Sequence, residues 1–255
     1  MQSNIFSRLF VGQNLVSLKE VDSTNTFLKN VLSNSKPVPD GTVIMAEAQY
    51  AGRGQQQNGW HAEPGKNLTF SLLLNPVFLS ISQQFDLNRA ISLGVHYALK
   101  PILGEPLSIK WPNDIYYDDY KLGGILIENI LSGEKIKHSV IGIGINVNQD
   151  EFPPHVPNPV SVKQILHSDY DLRQLLLEIC GGIEAYYLKL KAGRTDELRS
   201  GYLDILYGLN ESRNYKSNDS VFEGTIKNVT PEGLLVVNTL NGDKLFGLKE
   251  IEFLK

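Results

Sequence analysis

Five runs rich in apolar and β-branched residues interrupt the amino-terminal part of the chain and constrain it most: Thr42 to Ala48, Leu68 to Leu74, Leu107 to Lys110, Leu122 to Ile130 and Ile136 to Val147. Each reads as a strand. Between the second and third, Asp86 to Leu103 reads as a helix, and a shorter helix runs through Leu32 behind Asp22 or Ser23, either of which can cap it. Pro37 to Gly41 turns the chain. Leu175, Leu176, Ile179, Ile183, Tyr187 and Leu190 recur at helical spacing, although Gly181 and Gly182 inside that helix cost about 1 kcal/mol each against alanine. A further helix is expected over Thr195 to Tyr207.

Beyond Asn210 the texture changes to short strands, Val221 to Val229, Leu234 to Leu240, Lys244 to Leu248 and Ile251 to Phe253. Asn241-Gly242 is a hairpin signal because both residues tolerate positive φ. The division predicts a main domain over residues 1–209 and a small β barrel over 210–255 that leans on it for stability.

With 255 residues and 42% hydrophobic content the chain can bury one sizeable core. The stretch from Met1 to Phe10 lacks the apolar core of a secretory signal, and no run approaches the roughly 18 apolar residues of a membrane span. Cys180 has no second cysteine to pair with, which fits a reducing compartment and makes the cytoplasm the default. The net charge of -4, with Lys and Arg scattered, leaves no basic footprint for nucleic acid, and no membrane association is expected.

Three segments carry chemistry. Ala46 to Trp60 leaves a strand and enters a polar loop in which Gly52 and Gly54 let backbone amides approach an anion and Arg53 adds a planar cation. Alone, such a loop reads as a surface hairpin. It is not a Walker loop: Trp60 stands where that motif needs its first glycine, and Asn67 follows Gly65-Lys66. The second segment is Lys110-Trp111-Pro112-Asn113-Asp114, a tyrosine-rich turn, and Lys121-Leu122-Gly123-Gly124-Ile125-Leu126-Ile127-Glu128. Lys121 precedes two glycines that leave space beneath its amine, though solvated hairpin charges are the commoner fate of such residues. In the third, Gly142-Ile143-Gly144-Ile145-Asn146, polar residues and Phe152-Pro153-Pro154 follow instead of a helix, which rules out a dinucleotide fingerprint. A strand against which a ligand can lie explains it better. His61, His96, His138, His155 and His167 show no metal-ligand spacing, and no Gly-x-Ser-x-Gly elbow occurs.

Together with Ser23-Thr24-Asn25, these segments resemble, in order, the signature of the biotin–protein ligases from about Glu20 to Asn148, and more loosely through the carboxyl-terminal barrel. The resemblance implies an α/β (α+β) fold, a mixed sheet with flanking helices related to class II aminoacyl-tRNA synthetases, plus an SH3-like β barrel. It implies formation of biotinoyl-5′-AMP from biotin and ATP with Mg2+, then transfer to a lysine of a biotin carboxyl carrier protein of acetyl-CoA carboxylase. It allows a homodimer. By the same resemblance the ureido ring of biotin lies near Ser23, Thr24, Asn25 and Gln49, and Arg53, Gly54, Gln55 and Lys121 meet its carboxylate and the α-phosphate. Trp60 stacks on adenine, Lys110, Asn113, Asp114 and Asn146 fall on the nucleotide side, and Asp114 is the magnesium candidate. Arg53, Lys121 and Asp114 form the expected catalytic group. Gln56 and Gln57 depart from the family, which often has arginine and glycine there. The loop is expected to be mobile when unliganded and to order with biotin.

A lipoate or octanoyl ligase is the nearest rival, disfavoured by the Trp60 loop and the Lys110 to Asp114 block. A biotin-responsive repressor needs a DNA-binding module ahead of the catalytic domain, and about 22 residues before Ser23 are too few for one.

Overall fold

The computed structural model describes residues 9–34, 37–55 and 59–254. Seven strands form one mixed sheet: β1 (Leu15–Val21), β2 (Val43–Gln49), β3 (Leu68–Leu74), β4 (Leu107–Lys110), β5 (Asp114–Tyr117), β6 (Tyr120–Ser132) and β7 (Lys135–Ile145), in the order β1-β2-β3-β7-β6-β5-β4. β1 runs parallel to β2, and the other neighbouring pairs are antiparallel. β3 is buried at every position because both of its faces are covered. Leu73 joins Leu28, Ile44 and Val140 under helix α1 (Thr24–Ser33). Phe70 and Leu72 point the other way, into the main core shared with α2 (Gln84–Leu103) and α4 (Leu172–Lys191).

The glycine pair in α4 has a division of labour. A Cβ at Gly182 would come within 2.3 Å of the Gly94 carbonyl oxygen of α2, whereas one at Gly181 would meet none of the described residues within 4 Å. Gly182 therefore recovers its helix cost as close helix–helix approach, and Gly181 has no such compensation.

The start of α1 corrects an expectation. Ser23 sits at the N-cap position, but neither it nor Asp22 caps the helix with its side chain. The first free amide is satisfied from β2 instead: Thr24 donates its backbone N–H and its hydroxyl to Gln49 Oε1, at 2.7 and 3.1 Å. The Ser23 hydroxyl is thereby released from capping. Elsewhere the expected elements appear, β3 and β4 with the expected ends and others with shifted ones, α5 stopping at Asp204 (Thr195–Asp204). β1, β5, the short helix α3 (Val162–Leu166) and the strand over Ser212–Ser217 are additions.

Beyond residue 210, β8 (Ser212–Ser217), β9 (Ser220–Val229), β10 (Leu235–Thr239), β11 (Gly242–Phe246) and β12 (Glu252–Phe253) form an antiparallel sheet in the order β11-β10-β9-β8-β12. The β10–β11 hairpin closes through Leu240-Asn241, and only Gly242 of the expected pair takes positive φ (93°). Arg89 of α2, 1% exposed, joins the two sheets: it donates to the carbonyls of Val229, Thr230 and Pro231 in the β9–β10 turn, and to Asp86 Oδ1 at 2.7 Å. Arg199 of α5 also reaches Asp86, at 3.0 Å. Trp111 donates its indole N–H to the Gly233 carbonyl across the same joint, 3.0 Å away. Among the described residues no helix is long and apolar enough to cross a membrane.

Candidate active site

The glycines of β6 and β7 leave a bare strip in the middle of the sheet, and a candidate site side chain packs against each of three of them. A Cβ at Gly142 would come within 2.5 Å of the Asn25 carboxamide, one at Gly144 within 2.5 Å of the Trp60 indole, and one at Gly124 within 3.1 Å of Asp114 Oδ1. The space above this strip is a cavity of about 260 Å³. It is walled by Ser23, Thr24 and Asn25 from the start of α1, Gln49 from the end of β2, Arg53, Gly54, Gln55, Gly59 and Trp60 from the following loop, and Asp114 and Lys121 from β5 and β6. Ten of the residues singled out in the sequence thus meet around one space. A second, more open hollow of about 860 Å³ lies beyond Gln49 and Trp60, lined also by His61, Glu63, Glu151, Phe152 and Pro153.

Both candidate cations are paired. Lys121 Nζ lies 2.7 Å from Asp114 Oδ2, above Gly124. The root of Lys121 is held by its N–H donating to the Asn158 carbonyl at 2.7 Å and by its own carbonyl accepting from Val160 N–H at 3.0 Å. Arg53 grips Glu128 with both terminal nitrogens, at 2.9 and 3.3 Å, and its backbone bridges Gly59 to close the loop. Glu128 also accepts from Asn25 Nδ2 at 2.8 Å and Lys29 Nζ at 2.7 Å. Burial works to raise the pKa of Glu128, but the bonds from Lys29 and Asn25 and the charge of Arg53 prevail and hold it below the usual glutamate value.

The remaining polar groups form a relay. Thr24 donates to Gln49, Ser71 lies 2.7 Å from Thr24 Oγ1 and 2.5 Å from Asn25 Oδ1, and Asn25 donates to Glu128. Glu128, Lys29 and Ser71 had no assigned role in the sequence. Lys29 stands one helical turn from Asn25, and Glu128 is the carboxylate that ends the Lys121 to Glu128 motif, but neither position shows that they meet, and nothing in the sequence points to Ser71.

Three expected residues do not line the cavity. Lys110 Nζ lies over the rings of Tyr116 and Phe253, at 5.0 and 4.7 Å, and burial there lowers its pKa despite the nearby Asp114 carboxylate. Asn113 is buried beside β6, donating to the Ile125 carbonyl at 2.6 Å, while its Oδ1 finds no hydrogen-bond partner among the described residues. Asn146 braces the neighbourhood of Lys121 from behind, donating to the carbonyls of Val160 at 3.1 Å and Lys121 at 3.4 Å. Gln56 and Gln57 lie outside the described residues.

The sequence model of the biotin/lipoate A/B protein ligase family matches residues 17–146, the stretch that builds this cavity. The chain belongs to that family. The solved structure of the Aquifex aeolicus biotin protein ligase in complex with biotin and ATP is 30% identical, with a TM-score of 0.80, over 95% of this chain and 99% of the other. The bifunctional ligase/repressor BirA of Bacillus spizizenii is 28% identical over 246 residues, 95% of this chain and 74% of that protein. The biotin–[acetyl-CoA-carboxylase] ligase of Paracoccus denitrificans is 24% identical over 92% of this chain and 99% of its own length. The Aquifex likeness agrees with the mixed sheet and flanking helices that the resemblance implied.

Proposed function

We propose that this protein is a biotin–protein ligase, which activates biotin with ATP to biotinoyl-5′-AMP and pyrophosphate and transfers the biotinoyl group to a lysine of a biotin carboxyl carrier protein of acetyl-CoA carboxylase. The observation that carries this reading is the convergence of Thr24, Asn25, Gln49, Arg53, Trp60, Asp114 and Lys121 on one cavity. They arrive there from three separate stretches of a chain that matches a biotin- and ATP-bearing ligase almost end to end.

The donor pattern suits a ureido ring, which offers one carbonyl acceptor and two N–H donors. Gln49 Oε1 is engaged by Thr24, so its NH2 group remains to donate to the ring carbonyl, as does the uncapped Ser23 hydroxyl. The lone pairs of Thr24 Oγ1 and Asn25 Oδ1 are the acceptors for the ring N–H groups. At about 260 Å³ the cavity falls just under the usual small-molecule range, about 300–1,000 Å³, and suits the bicyclic head better than a whole adenylate. Adenine then belongs against Trp60, towards the hollow lined by Phe152 and Pro153.

In the first step a carboxylate oxygen attacks the α-phosphorus and the bond to pyrophosphate breaks. In the second the carrier amine attacks the acyl carbon and AMP leaves. Lys121 stabilises charge that grows on the phosphoryl oxygens, and Asp114, 2.7 Å from it, fixes the ammonium and stands ready to orient the incoming amine. Among the described residues no group of three His, Cys, Asp or Glu could hold a metal by itself. One carboxylate, Asp114, fits a magnesium ion that arrives with the ATP phosphates, since that ion takes one or two carboxylates and keeps its waters. When bound, it neutralises triphosphate charge.

Biotin-dependent ATP–pyrophosphate exchange, run beside lipoate and octanoate with and without magnesium, tests the assignment. Biotin alone should support exchange, and only with the metal; equal or greater exchange with lipoate would overturn it. Trp60→Ala should raise the KM for ATP about tenfold, the value of one lost base–aromatic stack, and change biotin affinity much less. Equal losses for both substrates would move adenine elsewhere.

A further inference from the structure

We propose that Glu128 is a positioning residue of this site: it clasps Asn25, Lys29 and Arg53 together and thereby fixes the wall against which biotin is held. This rests on the biotin–protein ligase assignment. The cluster joins three elements that are distant in sequence. Asn25 and Lys29 project from one face of α1, Glu128 stands on β6, and Arg53 reaches across from the loop that follows β2.

Two features give Glu128 more than a packing role. An ionised carboxylate only accepts, so it dictates that Asn25 turns Nδ2 towards β6 and Oδ1 towards Ser71 and the cavity. The Leu126 carbonyl, also an acceptor only, supports the same orientation at a longer 3.5 Å. The Arg53 guanidinium is engaged in a two-point grip, which in planar pairs brings direction as well as charge. The loop cation therefore acts on the ligand through the clasp, setting the position of Gly54 and Gln55, rather than as a mobile charge seeking the ligand's carboxylate. Lys29 is the accessory member, since its removal leaves Asn25 and Arg53 still in place.

A double-mutant cycle separates this arrangement from direct ligand contact by Arg53. Biotin KM and kcat are measured in the exchange assay for Glu128→Ala, Arg53→Ala and the double variant, with thermal midpoints for each. The clasp predicts that each single change raises biotin KM about fivefold, with the ATP KM nearly unchanged, and that the double variant is no worse than either single. Glu128→Gln, nearly isosteric and still able to accept from Asn25, should recover part of the loss. Losses that multiply in the double variant would overturn the proposal, as would an Arg53→Ala defect with Glu128→Ala behaving as wild type. If Glu128→Ala fails to fold, the Glu128→Gln and Arg53→Ala pair carries the same cycle. Absence of biotin-dependent exchange in the wild-type protein would instead remove the ligase assignment itself.

Discussion

Lys121→Ala is expected to slow biotinoyl-AMP formation about a hundredfold or more at saturating biotin and ATP, by analogy with loss of one preorganised donor to a developing oxyanion. The expectation comes from where the lysine is anchored. Its backbone is fixed on both sides by residues 158 and 160, and Asn146 bonds to its carbonyl, so the side chain leaves a rigid root and ends over Gly124 beside Asp114. About 30% of the side chain of each partner is exposed, so the ion pair adds less than about 1 kcal/mol to stability and the variant should fold. The loss should therefore appear in the single-turnover rate constant, while the contacts of Thr24 and Gln49 keep biotin bound within a fewfold of wild type. Lys121→Met, which keeps the length and drops the charge, should be as slow as the alanine variant. An unchanged rate constant would leave Lys121 only a binding residue.

Arg89→Ala should cost about 3–5 kcal/mol of stability, the usual effect of removing one partner from a buried ion pair. Arg89 and Asp86 are 1% and 0% exposed, and burial already pulls the arginine pKa down against the opposing effect of Asp86. Deleting the guanidinium leaves the carbonyls of Val229, Thr230 and Pro231 without its bonds and leaves Asp86 to Arg199, whose side chain is 35% exposed. In urea unfolding the midpoint should fall accordingly. The carboxyl-terminal sheet should loosen first, visible as a red shift of Trp111, whose indole bonds to Gly233 across the same joint. Arg89→Met should be less damaging than alanine because it fills more of the space. A loss below about 1 kcal/mol would mean that the joint does not depend on this residue.

The central strand β3 was legible because it is covered on both faces and therefore reads as a continuous apolar run, and it appears with the predicted ends, as does the edge strand β4 with its alternating buried positions. β1 and β8 were missed for the opposite reason. β1 lies at a sheet edge with Ser17, Lys19 and Glu20 in it, and β8 buries only Tyr215 among Ser212, Arg213, Asn214, Lys216 and Ser217. Their pairing is dictated by neighbours rather than by their own pattern. The candidate site was legible wherever motifs place a cation next to glycines, as with Arg53 and Lys121, and where the Ser23-Thr24-Asn25 run opens a helix. It was illegible where an element distant in sequence completes the arrangement: nothing local announces that Gln49 satisfies the start of α1, or that Glu128 gathers three partners.

The bare strip of β6 and β7 also divides recognition from architecture. Gly144 lies between Thr69 of β3 and Gly124 of β6, and Gly142 between Ser71 and Leu126, so the peptide groups along the strip are committed to the ladders on either side. They can offer a ligand a flat surface but few directional bonds. Selectivity must then reside in side chains on the rim, contributed by α1, the end of β2, the loop and the β5–β6 edge. Such residues can be exchanged while the ladder beneath stays intact, so a change of acyl substrate is accessible through a handful of rim substitutions. A side chain introduced at Gly142 or Gly144 would drive into Asn25 or Trp60 and disrupt the site before it could retune it, and one at Gly124 would crowd Asp114.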